Sequence, residues 1–493
     1  MGGTIRGSRF ADTIDGTNLD DTIYGDWGDD HLYGHGGVDH LYGDQGRDHL
    51  YGGVGDDWLF GGAEDDELWG EGDDDHLDGG AGADTMRGGS GNDTYLVDNA
   101  GDVYVDGDGD VVIEARNEGW DTVFASIDYI LPDNVEELHL VGAATIGVGN
   151  SLDNRIYGTS HDDILAGGGA GDLEDGDDWL DGGGGGDWMM GGGGDDTYVV
   201  DNAGDIVDEG LSLGDDTIIS SITFILPDHV ENLILSAGAG GIDGLGNDRD
   251  NKMYGNESDN ALAGGGGGDT LDGGGGADIM WGERGNDKYY VDNVHDTVAE
   301  FYLEGNDSVY SSVSYALGAN VENVFLLESG GPISATGNGL YNVLSGNNFS
   351  NTLAGGAGID DLHGNGGNDI LRGDSDPDFL TGDAGADTLT GGTGGDSFVF
   401  ERASDTYMYV PGIGTMYDHI TDFSHAQGDQ IILSAIGTEA VPLSFIGSQA
   451  FHHVPGEVRF AGHFVQGDTT GDGIADFKIQ VDVATLERGD FLL

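Results

Sequence analysis

From Asp12 onward an aspartate returns every ninth residue without a miss: Asp12, Asp21, Asp30, Asp39, Asp48, Asp57, Asp66, Asp75, Asp84 and Asp93. Two residues after each stands an apolar or aromatic side chain: Ile14, Ile23, Leu32, Leu41, Leu50, Leu59, Leu68, Leu77, Met86 and Tyr95. Four residues after each of the first nine stands a glycine, from Gly16 to Gly88. A period of nine matches neither the α-helix nor a heptad. It suits a coil whose every repeat is one short strand and one tight turn. In "GGVGDDWLF" (52–60) the glycines permit positive φ and close backbone approach. Strand alternation then points Leu59 inward and its neighbours outward. Two repeats complete one turn of the coil. Stacked turns give an all-β fold of parallel strands whose inward Leu and Ile rows form a thin core.

The ladder stops and restarts three times. A second run uses Asn154, Asp163 and Asp172, loses three residues of register, and continues at Asp178, Asp187 and Asp196; a third uses Asn251, Asn260, Asp269, Asp278 and Asp287. The fourth uses Asn342, Asn351, Asp360, Asp369, Asp378, Asp387 and Asp396. Three related segments separate the runs, each with "DTV", "DTI" or "DSV" followed by strand-like alternation such as "SSITFIL". They read as wider coils of the same solenoid and as scaffold. Length alone would predict about three domains of roughly 150 residues. The repeats divide the chain differently: roll blocks at 1–95, 154–198, 251–289 and 342–398, spacers at 96–153, 199–250 and 290–341, and a C-terminal β cap at 399–493.

The turns carry the chemistry. Ninety-four acidic residues face fifteen Lys and Arg, a formal charge of −79. Uncompensated, that charge repels itself and favours a disordered chain. Lysines occur only at Lys252, Lys288 and Lys478, so no basic cluster exists for nucleic acid, or for anionic lipid by charge alone. Calcium takes roughly six to eight hard oxygens from carboxylates and carbonyls. A glycine-rich turn exposes carbonyls and its aspartate adds a carboxylate, so an ion fits between successive turns. Magnesium resists dehydration, and zinc and copper favour nitrogen and sulfur. The candidate calcium ligands are Asp30, Asp39, Asp48, Asp57, Asp66, Asp75, Asp84, Asp93, Asp163, Asp187, Asp196, Asp269, Asp278, Asp287, Asp360, Asp369, Asp378, Asp387 and Asp396. Where Asn stands on the ladder, at 154, 251, 260, 342 and 351, and where acids replace glycines, in "GGAEDD" (61–66) and "GEGDDD" (70–75), weak or no binding is expected.

The strings "GGVGDDWLF", "GGAGADTMR", "GGSGNDTYL" and "GGTGGDSFV" resemble the GGxGxDxUx nonapeptide of RTX proteins, the hemolysin-type calcium-binding repeat. The resemblance covers all four blocks and implies a parallel β-roll binding several calcium ions between turns. From Ser397 onward, "DHITDFSHAQGDQIILSAIG", "PGEVRF" and "GDTTGDGIADFKI" are similar to the C-terminal region of serralysin-type proteins. By that likeness the terminal "GDFLL" implies an uncleaved signal read by type I secretion machinery in a Gram-negative cell. The alternative is an ordinary buried terminal strand. The N-terminus "MGGTIRGSRFADTIDG" has no apolar stretch of Sec type. Cysteine is absent and no uninterrupted apolar run reaches 18 residues, so neither disulfides nor a membrane-spanning helix is expected.

Other motifs carry less. "DTTGDGIADF" (468–477) opens like an EF-hand loop, but its twelfth position is Ile479 instead of Glu. A partial calcium loop and a plain Asp/Gly turn both remain open there. No HExxH occurs. "GLSLG" (210–214) matches G-x-S-x-G, but its counterparts in the other spacers lack the serine. His31, His35, His40, His49 and His76 read as a polar outer face, with a zinc-binding or pH-sensitive face as the alternative. No enzyme is expected. The resemblance to rhizobial NodO-like and exopolysaccharide-associated proteins implies a secreted protein that folds on extracellular calcium and partners an acidic, galactoglucan-like exopolysaccharide. The outward Trp58, Trp69, Tyr33 and Tyr42 would stack on sugars. A membrane surface is the alternative partner, and a polysaccharide-modifying activity such as an epimerase the further alternative.

Overall fold

The computed structural model describes residues 2–99, 109–168, 176–210, 214–410, 414–437 and 441–493. Short strands dominate. The helical turns among the described residues are the single 3-10 turns Glu328–Gly330, Ala403–Thr406 and Arg488–Asp490. Two compact units divide at Ser236 and Ala237, inside the second spacer.

In the first unit, Thr4–Arg6, Thr22–Tyr24, His40–Gln45, Trp58–Ala63, His76–Ala81 and Thr94–Val97 pair in parallel, each strand two repeats after its neighbour. The alternate strands Thr13–Asp15, His31–Gly36, His49–Val54, Glu67–Gly72 and Thr85–Ser90 make the opposite sheet. Register is in phase with the repeat, so Ile23 faces Leu41, Leu41 faces Leu59 and Leu59 faces Leu77. Every one of these side chains is fully buried, as are Leu32, Leu50, Leu68, Met86 and Tyr95 from the opposite sheet and the block's last strand. The core is one file of side chains from each of two sheets, as the apolar position two residues after each aspartate predicts.

The outward residues also align. Tyr33 stacks on Tyr51 at 4.8 Å and Tyr51 on Trp69 at 4.5 Å. On the other face Tyr24 stacks on Tyr42 at 4.8 Å, and Tyr42 on Phe60 at 4.9 Å. These separations equal the spacing of hydrogen-bonded strands, about 4.8 Å. The ring faces are therefore covered by one another, and the edges meet solvent. The arginines Arg6 over Tyr24 and Arg87 over Trp69 close two of the stacks.

The spacers continue one sheet and interrupt the other. Thr94–Val97 pairs with Thr122–Ala125, that strand with Glu137–Leu140, and that with Arg155–Tyr157. On the opposite face the first block's sheet ends at Val111–Val112, and a new sheet begins at Tyr129–Ile130. In the second block Asn154 and Asp178 occupy matching positions, with Ile156 facing Leu180. Asp178 thus follows Asp163 directly on the ladder. Asp172, read from the sequence as a rung, lies outside the described residues.

The second unit repeats the plan. One sheet runs from Lys252–Tyr254 through Thr270–Asp272, Lys288–Val291, Ser308–Ser311 and Asn323–Leu326. It continues through Val343–Ser345, Asp361–His363, Phe379–Thr381, Ser397–Val399 and Gln430–Ile432. Phe491–Leu492 adds the last strand, with Phe491 buried, so the chain's end docks as a parallel strand. The other face closes differently. His419–Ile420 extends the parallel sheet to Phe477–Val481, and Phe464–Asp468 and Glu457–Ala461 then pair antiparallel as a cap.

Candidate metal centres

Each ladder aspartate immediately precedes a strand, two residues before the core side chain. Alternation therefore turns it inward at the sheet edge. Asp30, Asp39, Asp48, Asp57, Asp66, Asp75, Asp84 and Asp93 are all buried. Stacking joins them along each edge. The Asp30 N–H donates to Asp48 Oδ1 at 2.7 Å, Asp48 to Asp66 at 2.8 Å and Asp66 to Asp84 at 2.7 Å. The other edge runs from Asp21 to Asp39, Asp57, Asp75 and Asp93 at 2.7–2.8 Å.

The second oxygen sets two kinds of rung apart. In Asp30, Asp39, Asp48, Asp57, Asp66, Asp75, Asp84 and Asp93 the Oδ2 is buried without a hydrogen-bond partner; so it is in Asp187, Asp269, Asp278, Asp287, Asp360, Asp369, Asp378, Asp387 and Asp396. A bare buried carboxylate oxygen costs free energy unless something answers it. Beside it lies a space that only glycine leaves open. A Cβ on Gly61 would fall 2.5 Å from Asp66 Oδ2 and 2.6 Å from the Gly79 carbonyl of the next turn. A Cβ on Gly43 would fall 2.4 Å from Asp48 Oδ2 and 2.5 Å from the Gly61 carbonyl. Carboxylate and carbonyl oxygens converge on these cradles, and that all-oxygen set fits a hard divalent cation of the calcium type.

The other rungs are closed by the protein itself. Asp12 Oδ2 accepts the Ser8 N–H at 2.6 Å. Asp21 Oδ2 accepts the Thr17 N–H at 2.8 Å and its hydroxyl at 2.7 Å. Asp163, a candidate ligand by sequence, belongs here: its Oδ2 accepts the Thr159 N–H at 2.5 Å and the hydroxyl at 3.0 Å. Asn154, Asn251, Asn260, Asn342 and Asn351 accept the N–H of Asn150, Asn247, Asn256, Asn338 and Asn347 in the same way. Their amide nitrogens supply donors as well, Asn260 to the Ile242 carbonyl at 2.6 Å and Asn351 to that of Ile333 at 3.0 Å.

One backbone angle separates the two kinds. At the capped rungs the residue four positions earlier is Ser, Thr or Asn and has no positive φ. At the bare rungs of the first block it is Asp26, His35, Asp44, Gly53, Gly62, Glu71, Gly80 or Gly89, each with φ between 70° and 120°. The left-handed turn carries that N–H away from the carboxylate, which is why glycine and turn-forming acids recur there.

Burial pushes the bare rungs far above the usual carboxylate range: Asp48 and Asp93 to about 6, Asp57 and Asp84 to about 7, Asp66 to about 8 and Asp75 to about 9. Asp269 rises to about 8 and Asp387 to about 9 for the same reason. Neighbouring carboxylates add to the rise, and the one accepted N–H does not offset it. Asp21 goes the other way: the Gly3 N–H, helped by Thr17, holds it below its ordinary value.

Of the remaining candidates, Asp187 and Asp196 take their places on the second block's two edges, accepting the N–H of Asp163 and Asp178, each at 2.8 Å. The ladder also continues past the last rung of each block, in step with the period at Asp205 and Asp296 and out of step elsewhere. Asp110 and Asp121 accept the N–H of Asp84 and Asp93. Asp205 and Asp216, Asp296 and Asp307, and Asp418 and Asp429 do the same after the later blocks. The sequence signal for half of them was the "DTV", "DTI" and "DSV" triplets.

In the 468–477 loop, Asp468 accepts the N–H of Gly471 at 2.6 Å and of Gly473 at 2.7 Å, and Asp476 accepts that of Thr469 at 2.7 Å. Those carboxylates brace an Asp/Gly turn. The histidines divide between two sheets. His31 stacks on His49 at 4.5 Å, and His76 packs against Trp58 at 4.4 Å on the other face. They do not converge as a zinc site. The middle of "GLSLG" lies outside the described residues.

No curated protein matches the chain. Among solved structures it is similar to the solution structure of the AlgE6R3 subunit from the Azotobacter vinelandii mannuronan C5-epimerase. Identity is 28%, with 31% of this chain and 78% of that one covered and a TM-score of 0.18. The RTX calcium-binding nonapeptide repeat (4 copies) matches residues 6–41, 33–68, 60–95, 148–173, 174–206, 254–289, 345–380, 363–398 and 373–407, together half of the chain. The bare, buried aspartates of the four blocks fall within those repeats, and the chain belongs to the family of RTX calcium-binding nonapeptide-repeat proteins.

Proposed function

We propose that this protein is a secreted scaffold that stays unfolded where calcium is scarce, leaves the cell by type I export, and folds on extracellular calcium. The supporting observation is the row of buried carboxylate oxygens with no partner in the protein. Such a row is unstable as an anion without cations, so metal binding becomes folding free energy. The test is circular dichroism and sedimentation of the full chain with millimolar calcium and with chelator. A compact β spectrum only in calcium is expected, and the same spectrum in chelator would overturn the reading.

The partner that suits the folded form best is an acidic exopolysaccharide. Exposed carboxylates of Asp29, Asp56, Asp65 and Asp74 flank the roll's edges, one residue before the buried rungs. Calcium bridging those edges to a polymer's acidic groups is the chemistry offered. Stacking of sugars on Tyr33, Tyr42, Trp58 and Trp69 contributes less, because ring faces in these rows lie against one another. Co-sedimentation with an acidic exopolysaccharide in calcium and in chelator tests the partner. Retention only in calcium is expected; no retention in either would turn attention to membranes, for which vesicle leakage is the assay.

A further inference from the structure

Where a block hands over to a spacer, the ladder changes composition. Asp93, Glu114 and Asp121 come from three separate stretches of chain, are all buried, and each places a carboxylate oxygen within 4.8 Å of the other two. The same trio recurs as Asp196, Glu209 and Asp216, and as Asp287, Glu300 and Asp307. The glutamate stands seven residues before the spacer's rung in all three, and a fully buried tyrosine, Tyr95, Tyr198 or Tyr289, stands two residues after the block's last rung.

The tyrosine fixes the glutamate. Tyr95 donates its hydroxyl to Glu114 Oε1, which also accepts the Gly88 N–H at 3.1 Å. Tyr198 donates to Glu209 and Tyr289 to Glu300, with the Gly282 N–H reaching Glu300 Oε1 at 3.0 Å. One oxygen of the glutamate is thereby satisfied and the other is aimed inward. In the first trio Asp93 Oδ2, Glu114 Oε2 and Asp121 Oδ2 are all buried without partners, as are Asp287 Oδ2 and Glu300 Oε2 in the third. A Cβ on Gly88 would fall 2.1 Å from Asp93 Oδ2 and 2.4 Å from the Tyr95 hydroxyl, the cradle of an ordinary rung with a phenol at its wall.

Three carboxylates so close cannot all stay ionised beside one another without a cation. Oxygens bound to one calcium at about 2.3–2.6 Å lie up to roughly 5 Å apart, which these separations satisfy. We propose that each block-to-spacer junction binds its own calcium ion in a three-carboxylate site, a second class of site beside the rungs. The inference rests on the reading that the rungs take up calcium. A rung offers one carboxylate and a junction offers three, and ligand charge raises calcium affinity. The junctions therefore fill first and fasten each spacer to the block before it.

The experiment compares the full-length chain with the triple variant Glu114→Gln, Glu209→Gln, Glu300→Gln. Glutamine keeps an acceptor for the tyrosine hydroxyl and the glycine N–H but removes the charge. Calcium is counted by equilibrium dialysis, and terbium emission sensitised by the adjacent tyrosines is titrated in parallel. The parent should bind three ions ahead of the rest. The variant should bind those three at least about tenfold more weakly, keep the later ions, and lose the early terbium emission. An unchanged count and unchanged affinities would overturn the proposal, leaving hydrogen-bonded knots with shared protons. Should the triple variant fail to fold in calcium, Glu114→Gln, Glu209→Gln and Glu300→Gln singly are each expected to weaken one early ion, and three single variants with none weakened overturn it equally. If the parent itself binds no calcium, the rung reading falls first; if late ions bind and no early class exists, the junction sites alone fall.

Discussion

Asn351 and Asp369 stand one turn apart on the same edge of the last block, at equivalent positions, and they solve the same problem in opposite ways. Asn351 accepts the Asn347 N–H at 2.7 Å and donates to the Ile333 carbonyl at 3.0 Å. Asp369 accepts the Asn351 N–H at 2.7 Å, and its other oxygen is bare. Four residues earlier stand Asn347 with ordinary backbone and Asn365 with φ 65°. The side chain's charge and the hand of one turn together decide whether a rung is finished by the protein or by a cation. Each block opens with two finished rungs, one per edge: Asp12 and Asp21, Asn154 and Asp163, Asn251 and Asn260, Asn342 and Asn351. A first turn that closes without metal offers the following turns a template.

The largest expected effect follows from removing the cations altogether. Chelation should unfold the Asp rungs and, with them, nearly all parallel β structure, because eight capped rungs cannot hold the blocks alone. Far-UV circular dichroism together with the sedimentation coefficient measures it. Compact β structure in chelator would mean that bare oxygens are tolerated and that the two kinds of rung do not differ in what they need.

Acid should partly replace metal. Buried rung carboxyls at about 6 to 9 hold protons more tightly than the same groups in the open chain, at about 3.9. Between those values the folded state binds more protons than the unfolded one, so stability without calcium is greatest at low pH and falls as pH rises. In chelator, β content should therefore grow from pH 8 to pH 5. In calcium the trend should reverse, because protons compete for the same oxygens. Urea midpoints across that range in both conditions check the two signs, and a chelated protein indifferent to pH would remove the electrostatic basis of the comparison.

A smaller effect comes from filling one cradle. Gly61→Ala puts a methyl 2.5 Å from Asp66 Oδ2 and 2.6 Å from the Gly79 carbonyl. In calcium it should cost about 1–3 kcal/mol by overpacking, measured by urea unfolding, and one calcium equivalent. Loss of stability with the calcium count unchanged would place the ion elsewhere on the turn.

The roll itself was legible because aspartate, leucine and glycine repeat in one phase over whole blocks. A parallel coil is the arrangement that puts Leu32, Leu50 and Leu68 in one file. Several features escaped because they are set by chain that is not in phase. Asp178 is marked in the sequence only as a rung three residues out of register, and the reason for the shift is spatial: Asn154 pairs with it across twenty-four residues. Asp110, Asp121, Asp418 and Asp429 join the ladder across 26, 28, 31 and 33 residues, which no fixed step finds. Asp163 looks like every other ladder aspartate, and only Thr159, four residues before it, shows that it is capped. The outward aromatics were legible as outward, but not as stacked, because stacking needs the register between turns.

The smallest and sharpest test is to turn one kind of rung into the other. Asn351 already has what a bare rung has around it: a Cβ on Gly346 would fall 2.6 Å from its Oδ1 and 2.5 Å from the Gly364 carbonyl. Two things are missing, a second carboxylate oxygen and a left-handed turn four residues earlier. Asn351→Asp alone supplies the oxygen but leaves the Asn347 N–H in place and removes the amide that serves Ile333. It should cost about 1 kcal/mol and add no calcium. Asn347→Gly alone frees the turn but offers no charge, and should change the calcium count by none. The two together should recover bound calcium as one additional equivalent per chain, counted by native mass spectrometry at saturating calcium. If the double variant gains no ion, charge and the hand of the turn together do not govern the site; if Asn351→Asp alone gains one, the difference between Asn351 and Asp369 comes from charge alone.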